Sequence, residues 1–89
     1  MIKTSATISN KLGLHARASA KLTKLAGSFP CEVWISRGER RVNAESIMGV
    51  MMLAAGLGAK VELETNGVDE QDAMDALLAM MADKFGEGE

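Results

Sequence analysis

The chain has few of the residues needed for a disulfide-bonded, aromatic-rich or membrane-spanning structure. It contains one cysteine, one proline, one tryptophan, two phenylalanines and no tyrosine among 89 residues. A single cysteine excludes an internal disulfide, which favours a cytoplasmic location. The longest apolar run, residues 47–55, contains a glycine and is too short to span a bilayer, so no membrane insertion is expected. Scarce aromatic side chains and a net charge of -2 argue against a nucleic-acid partner.

The length and the distribution of charge favour a small carrier or binding module. We expect one domain over residues 1–89, and a domain of this size devotes most of its chain to the core. Residues 1–41 carry eight Lys/Arg against two Glu, a net +6, whereas residues 42–89 carry two Lys against ten Asp/Glu, a net -8. This polarity indicates a partner that is oriented electrostatically.

Hydrophobic periodicity predicts seven elements in the order βαββαβα. Alternating apolar and polar residues predict strands at residues 2–8, 31–36, 40–44 and 60–65. Helical spacing predicts helices over residues 16–27, over residues 47–55 with Ser46 as N-cap, and from an Asp69 N-cap to Phe85. Strands with one polar face imply an antiparallel sheet with helices on one side, which is an α+β open-faced two-layer sandwich.

The one histidine, His15, lies at the start of the first predicted helix, two residues before Arg17. A neutral imidazole is a nucleophile near pH 7, since the unperturbed pKa of histidine is about 6.5. A helix N-terminus binds anions, and a guanidinium donates to phosphoryl oxygens. The combination suits a phosphoryl acceptor, although a lone histidine in this position is more often an ordinary loop residue.

Other chemistry at this position finds less support in the sequence. No second histidine is present to share a metal, and Cys31 lies on the inward face of a predicted strand, so neither a metal nor a cofactor is expected. A nucleophile elbow, which a serine hydrolase of the α/β-hydrolase type requires, is absent.

Two segments resemble motifs of the HPr family of phosphocarrier proteins. Gly-Leu-His-Ala-Arg at residues 13–17 is similar to that family's active-site motif, and residues 43–51, Asn-Ala-Glu-Ser-Ile-Met-Gly-Val-Met, resemble its regulatory-serine segment. The resemblance covers the whole chain and implies a four-stranded antiparallel sheet of order 1-4-2-3 with three helices on one face. Two departures stand out: Ala18 replaces the family's usual proline, and Leu12 replaces an asparagine found in many members.

The resemblance also implies a function in the phosphoenolpyruvate-dependent phosphotransferase system. Such a protein is a stoichiometric carrier and not an enzyme in its own right. Enzyme I would phosphorylate the Nδ1 atom of His15, next to Arg17, and the group would pass to IIA domains of sugar permeases. Ser46 would be a regulatory phosphorylation site for a serine kinase/phosphorylase. We expect a monomer.

Docking residues are predicted on the first two helices. Arg17, Lys21 and Lys24 form a basic stripe that starts at the candidate site, although most charged stripes are merely solvated. The second helix is apolar nearly all round and cannot bury every side chain. We expect exposed contact residues at Ile47, Met48 and Met51. Its other large side chains, Met52 and Leu53, are expected in the core.

Two other functions remain open. A nitrogen-regulatory carrier of the same fold would also be phosphorylated on histidine but would signal instead of driving sugar uptake. A binding module that never carries phosphate belongs to a different class, and the presence of both His15 and Arg17 argues against it.

Overall fold

A computed structural model describes residues 1–89 and confirms the open-faced sandwich. The sheet and its helices are built from seven elements: β1 (Ile2–Thr7), α1 (Ala16–Gly27), β2 (Cys31–Arg37), β3 (Arg40–Asn43), α2 (Ile47–Met52), β4 (Lys60–Gly67) and α3 (Glu70–Ala82). A single 3-10 turn, Lys84–Gly86, follows α3.

The four strands form one antiparallel sheet in the order β1-β4-β2-β3. Its register brings core residues side by side: Ile35 pairs with Leu63 of β4 and with Val42 of β3. Because successive side chains of a strand point to opposite faces, the same register collects polar residues on the other side of the sheet. The helices cover the apolar face, and the core includes Leu22 and Leu77.

The open face of the sheet carries a charged cluster around Trp34. The Arg41 guanidinium lies 4.0 Å from the centre of the Trp34 ring, and its Nε donates to the Glu64 carboxylate at 2.8 Å. Lys3 pairs with the same carboxylate at 3.7 Å. Glu64 is therefore on the outward face, as the alternation predicts, but is almost fully buried. The hydrogen bond from Arg41 and its positive charge hold the pKa of Glu64 below its ordinary value.

Helix α2 is shorter than the predicted helix over residues 47–55. It ends at Met52, and Ala54 adopts a left-handed conformation with φ of 50°. Arg37 donates to the carbonyls of Leu53 and Ala54, and Arg40 donates to that of Met52. These two strand residues satisfy carbonyls that a helix end leaves unpaired, and their charge suits the negative end of the helix dipole.

Both predicted ends of the last helix need correction. Asp69 occupies the N-cap position of α3, but its φ of 62° is left-handed and its side chain does not cap the helix. Instead Glu70 accepts a hydrogen bond from the Gly67 N–H. Helix α3 ends at Ala82. Phe85 is buried as predicted, but it reaches the core from a left-handed turn beyond the helix.

Candidate functional site

The loop before α1 is fixed against the segment that follows α2. Gly13 has φ of 64°, and a Cβ atom built on it would lie 2.4 Å from the Ala55 carbonyl oxygen. The next residue, Leu14, donates its backbone N–H to that same oxygen at 2.9 Å. The buried Asn10 side chain donates to the Gly13 carbonyl at 2.8 Å. Glycine is therefore required at residue 13 by both conformation and space.

His15 is the N-cap residue of α1, with extended backbone angles and no side-chain bond to the helix. Its carbonyl accepts the first helical hydrogen bond, from Ser19 N–H at 2.8 Å. The N–H groups of Ala16, Arg17 and Ala18 have no hydrogen-bond partner in the structure. The candidate nucleophile thus lies beside three unpaired donors at the positive end of a 12-residue helix.

The imidazole of His15 is partly exposed and has two different nitrogens. Nε2 hydrogen-bonds the Glu87 carboxylate, whereas Nδ1 has no partner. The other oxygen of that carboxylate accepts from Asn10 Nδ2 at 2.9 Å. The hydrogen bond from Asn10, followed by that from His15 and by the charge of Lys21, holds the pKa of Glu87 below its ordinary value. The nitrogen available to a reaction partner is therefore Nδ1.

Arg17 extends from the first turn of α1 and makes no hydrogen bond or ion pair with the rest of the chain. It lines an open depression of about 650 Å³ together with His15, Lys21, Leu12 and Glu87. A depression with an unpaired guanidinium and unpaired helix N–H groups can receive the oxygens of a phosphoryl group.

The two departures from the family pattern have different surroundings. Ala18 lies in the first turn of α1 with its side chain fully buried and its N–H unpaired. The N–H that alanine has and proline lacks therefore makes no hydrogen bond here. Leu12 is 67% exposed in the loop before the helix. This exposed leucine adds apolar area beside the candidate site.

The predicted basic stripe is present on α1, but its members differ. Lys21 donates to the Phe85 carbonyl at 2.6 Å and so holds the segment after α3. Lys24 is exposed and has no ion pair. Of the two lysines, Lys24 has its charge available to a partner without competing intramolecular contacts.

Ser46 is the N-cap of α2 and is exposed. Its Oγ accepts from the Gly49 N–H at 3.1 Å. The turn before it is closed by Asn43, which accepts from the N–H groups of Glu45 and Ser46. Gly49 lets the helix approach the sheet, since a Cβ there would lie 3.2 Å from the Val42 Cβ. Ser46 therefore has a capping role in the structure, and its hydroxyl lies at the surface.

The exposed apolar side chains of α2 include all three predicted docking residues. Ile47, Met48 and Met51 are 39%, 66% and 38% exposed. Leu53 is buried as expected, but the expectation that Met52 belongs to the core is wrong, because it is 60% exposed. The helical geometry explains the difference, since Met52 lies two positions after the buried Val50 and therefore about 200° round the helix, on the opposite face. Leu57, in the following loop, is also exposed.

The remaining observations concern the one cysteine, the side chains that could hold a metal and the apolar length of the helices. Cys31 is buried, and burial raises the pKa of its thiol. No group of three or more His, Cys, Asp and Glu side chains is arranged to hold a metal ion. No helix is long and apolar enough to cross a membrane.

Two residues of the site, Asn10 and Glu87, have no counterpart in the sequence predictions. Both lie outside the periodic segments, where hydrophobic patterning carries no information. The one sequence signal was coarse: the negative charge of residues 42–89 opposite the positive charge of residues 1–41. The contact of Glu87 with His15 at the start of α1 joins a residue of the negative half to one of the positive half. The difference in charge between the halves does not, however, indicate which acidic residue makes the contact.

Comparison with known proteins agrees with the fold and with the family resemblance of the sequence. Residues 2–83 match the family described as "PTS HPr component phosphorylation site". The phosphocarrier protein HPr of Cupriavidus necator is 67% identical over 89 residues, which is all of both chains. The phosphocarrier protein NPr of Shewanella violacea is 43% identical over 86 residues, covering 97% of this chain and 94% of that one. The crystal structure of HPr-C-His from Thermoanaerobacter tengcongensis superposes with a TM-score of 0.94 at 40% identity, covering 98% of both chains. The chain belongs to the HPr family of phosphocarrier proteins of the phosphotransferase system.

Proposed function

We propose that His15 accepts a phosphoryl group from phosphorylated Enzyme I and that the protein delivers it to IIA domains of sugar permeases. The observation that carries this proposal is the position of Nδ1. It is the unpaired ring nitrogen of a partly exposed histidine, next to the unpaired N–H groups that begin α1. An acceptor needs both an available lone pair and donors for the incoming charge.

The transfer is a displacement at phosphorus. The Nδ1 lone pair forms the new P–N bond, and the electron pair of the bond that breaks returns to the atom of Enzyme I that carried the phosphoryl group. The Arg17 guanidinium and the helix N–H groups receive the phosphoryl oxygens. Because the site is an open depression, either partner can reach the phosphorus atom by docking over it. The protein is then a stoichiometric carrier, and the partners supply the remaining catalytic groups.

Docking is assigned to two adjacent surfaces. The charged part is Lys24 with Lys21, along α1 from Arg17. The apolar part is the exposed side of α2, formed by Ile47, Met48 and Met51, to which Met52 now adds. Flexible methionine side chains suit a surface that must fit both a phosphoryl donor and several acceptors.

Ser46 is proposed as a site of regulatory phosphorylation by a serine kinase/phosphorylase. Its hydroxyl is at the surface, and Ile47 and Met48 follow directly. A phosphate there is compatible with the helix N-terminus but places about -1.5 to -2 charges beside the apolar docking side chains. The regulation would therefore act on docking and not on folding. We also propose that the protein is a monomer and that it acts in the cytoplasm.

The experiment is reconstitution of the relay. Enzyme I and labelled phosphoenolpyruvate should transfer label to this protein, and label should then pass to an added IIA domain. His15→Ala should remove both transfers. Arg17→Ala should slow them, by about 10²-fold if a donor to the developing charge is lost. Label that accumulates on His15→Ala at the normal rate would overturn the assignment.

A nitrogen-regulatory carrier is the second candidate, supported by the relative named NPr. It uses the same His15 chemistry but serves different partners. Presenting the phosphorylated protein to IIA domains of sugar permeases and to a IIA domain of the nitrogen branch discriminates the two. Faster transfer to the nitrogen-branch domain would favour the second candidate.

A further inference from the structure

The C-terminal segment, residues 83–89, returns from α3 to the start of α1. Two consecutive residues with positive φ, Lys84 and Phe85, redirect the chain after Asp83, which follows the end of α3. Phe85 is 2% exposed and anchors the turn in the core. This conformation is sparsely populated for residues other than glycine, so it persists where the surroundings determine it.

Contacts on both sides of Glu87 fix the path of the segment. Before it, the Phe85 carbonyl accepts from Lys21 Nζ at 2.6 Å. After it, the Glu89 carbonyl accepts from the Lys11 backbone N–H at 2.9 Å. Neither bond involves the Glu87 side chain. The main chain on both sides of Glu87 is thus held near the start of α1 by contacts that do not involve His15.

The Glu87 carboxylate is held between two donors. Asn10 Nδ2 donates to Oε1 at 2.9 Å and also to the Gly13 carbonyl at 2.8 Å, and the His15 ring contacts Oε2 through Nε2. Asn10 is fully buried, so its amide cannot turn toward solvent. An ionised carboxylate accepts hydrogen bonds and donates none. The hydrogen in the contact with His15 therefore belongs to Nε2.

We propose that Glu87 is a positioning residue for phosphoryl transfer at His15. By accepting the Nε2 proton it fixes the plane of the ring and leaves the lone pair on Nδ1, as a second hydrogen bond does for other reactive histidines. When Nδ1 attacks phosphorus, the Nε2 proton stays in place and the ring gains positive charge. The Glu87 carboxylate stabilises that charge, which is the part played by the buried aspartate in a Ser-His-Asp triad. The inference rests on the proposed function of His15.

The test uses the full chain, in which one histidine makes the imidazole signals unambiguous. Nitrogen-15 NMR detects whether the Nε2–H proton is hydrogen-bonded and slow to exchange. Transfer kinetics with Enzyme I give the maximal rate and the Michaelis constant. The variants are Glu87→Ala, which removes the acceptor, and Glu87→Gln, which keeps an uncharged acceptor. The matched control is Glu89→Gln, which removes the same charge from the same segment without touching His15.

We expect a protected Nε2–H signal in the unsubstituted protein and in Glu89→Gln, and its loss in Glu87→Ala. The maximal rate should fall about tenfold in Glu87→Ala and by less in Glu87→Gln, with the Michaelis constant unchanged. A missing signal in the unsubstituted protein would overturn the proposal. So would equal maximal rates for Glu87→Ala and Glu89→Gln. Failure of the proposed function would look different: the unsubstituted protein would accept no phosphoryl group, which also removes the positioning role of Glu87 in phosphoryl transfer even if the signal is present.

Discussion

The backbone N–H of Leu14 donates to the carbonyl of Ala55 at 2.9 Å and joins the loop before α1 to the segment after α2. This bond links the two motifs that are separate in the sequence, the His15 motif and the Ser46 motif. The close approach requires Gly13 next to Ala55, so the loop before α1 is held against the segment that follows α2.

Replacing Gly13 by alanine tests this junction. The substitution combines a left-handed φ with a Cβ that would lie 2.4 Å from the Ala55 oxygen. We expect the free energy of unfolding, measured in urea, to fall by about 2–4 kcal/mol. Gly38→Ala is the matched control, because its φ is 62° and nothing lies within 4 Å of a built Cβ. It should cost about 1–2 kcal/mol. Equal losses in the two variants would show that the close approach is absent.

The Glu64 carboxylate should make the free energy of unfolding depend on pH in the acidic range. Its pKa is lowered in the folded state by the hydrogen bond from Arg41, so its contribution to stability is present above the ordinary pKa of glutamate. That contribution is lost as the pH falls through the lowered folded value. Glu64→Gln should reduce the free energy of unfolding at pH 7 by about 1–2 kcal/mol and flatten its dependence on pH below about 4. Glu62→Gln, on the same strand without an ion pair, should change neither. An unaltered pH profile in Glu64→Gln would contradict the account.

Lys24 is the cleaner test of electrostatic docking, because Lys21 also holds the Phe85 carbonyl. Lys24→Glu should slow phosphorylation by Enzyme I through the association rate and weaken its dependence on salt. Steering between exposed charges is screened over about 10 Å at 0.1 M ionic strength. The melting temperature should not change. Equal rates for Lys24→Glu and the unsubstituted protein at low salt would show that the stripe is only a solvated face.

Ser46→Asp mimics part of the charge of a phosphate. Aspartate caps helices as well as serine does, so the circular dichroism spectrum and the unfolding free energy should be retained. Phosphorylation by Enzyme I should be much slower, because an apolar partner surface would have to desolvate a charge beside Ile47 and Met48. Ser46→Asn caps without the charge and should react as the unsubstituted protein does. If Ser46→Asp folds and reacts normally, the proposed mechanism of regulation is wrong.

The sequence predicts the fold well where periodicity is strong and the site only where a motif is local. The alternation in β4 and the apolar spacing in α1 require one face to be buried, so those elements followed directly. The end of α2 depends on Arg37 and Arg40, which lie on another element and are invisible to a periodic pattern. The left-handed Lys84 and Phe85 likewise depend on tertiary contacts. His15 and Arg17 could be predicted as site residues because they are close in the sequence, whereas Glu87, 72 positions from His15, could not.

The most direct test of the central claim is to locate the phosphoryl group on the protein after reaction with Enzyme I and phosphoenolpyruvate. Phosphorus-31 and nitrogen-15 NMR of the labelled protein should show a single acid-labile, base-stable phosphoramidate, with phosphorus coupled to Nδ1 of His15. The account predicts one such signal and none in His15→Ala. A phosphoryl group bonded to Nε2, to a hydroxyl or to any other residue would contradict it.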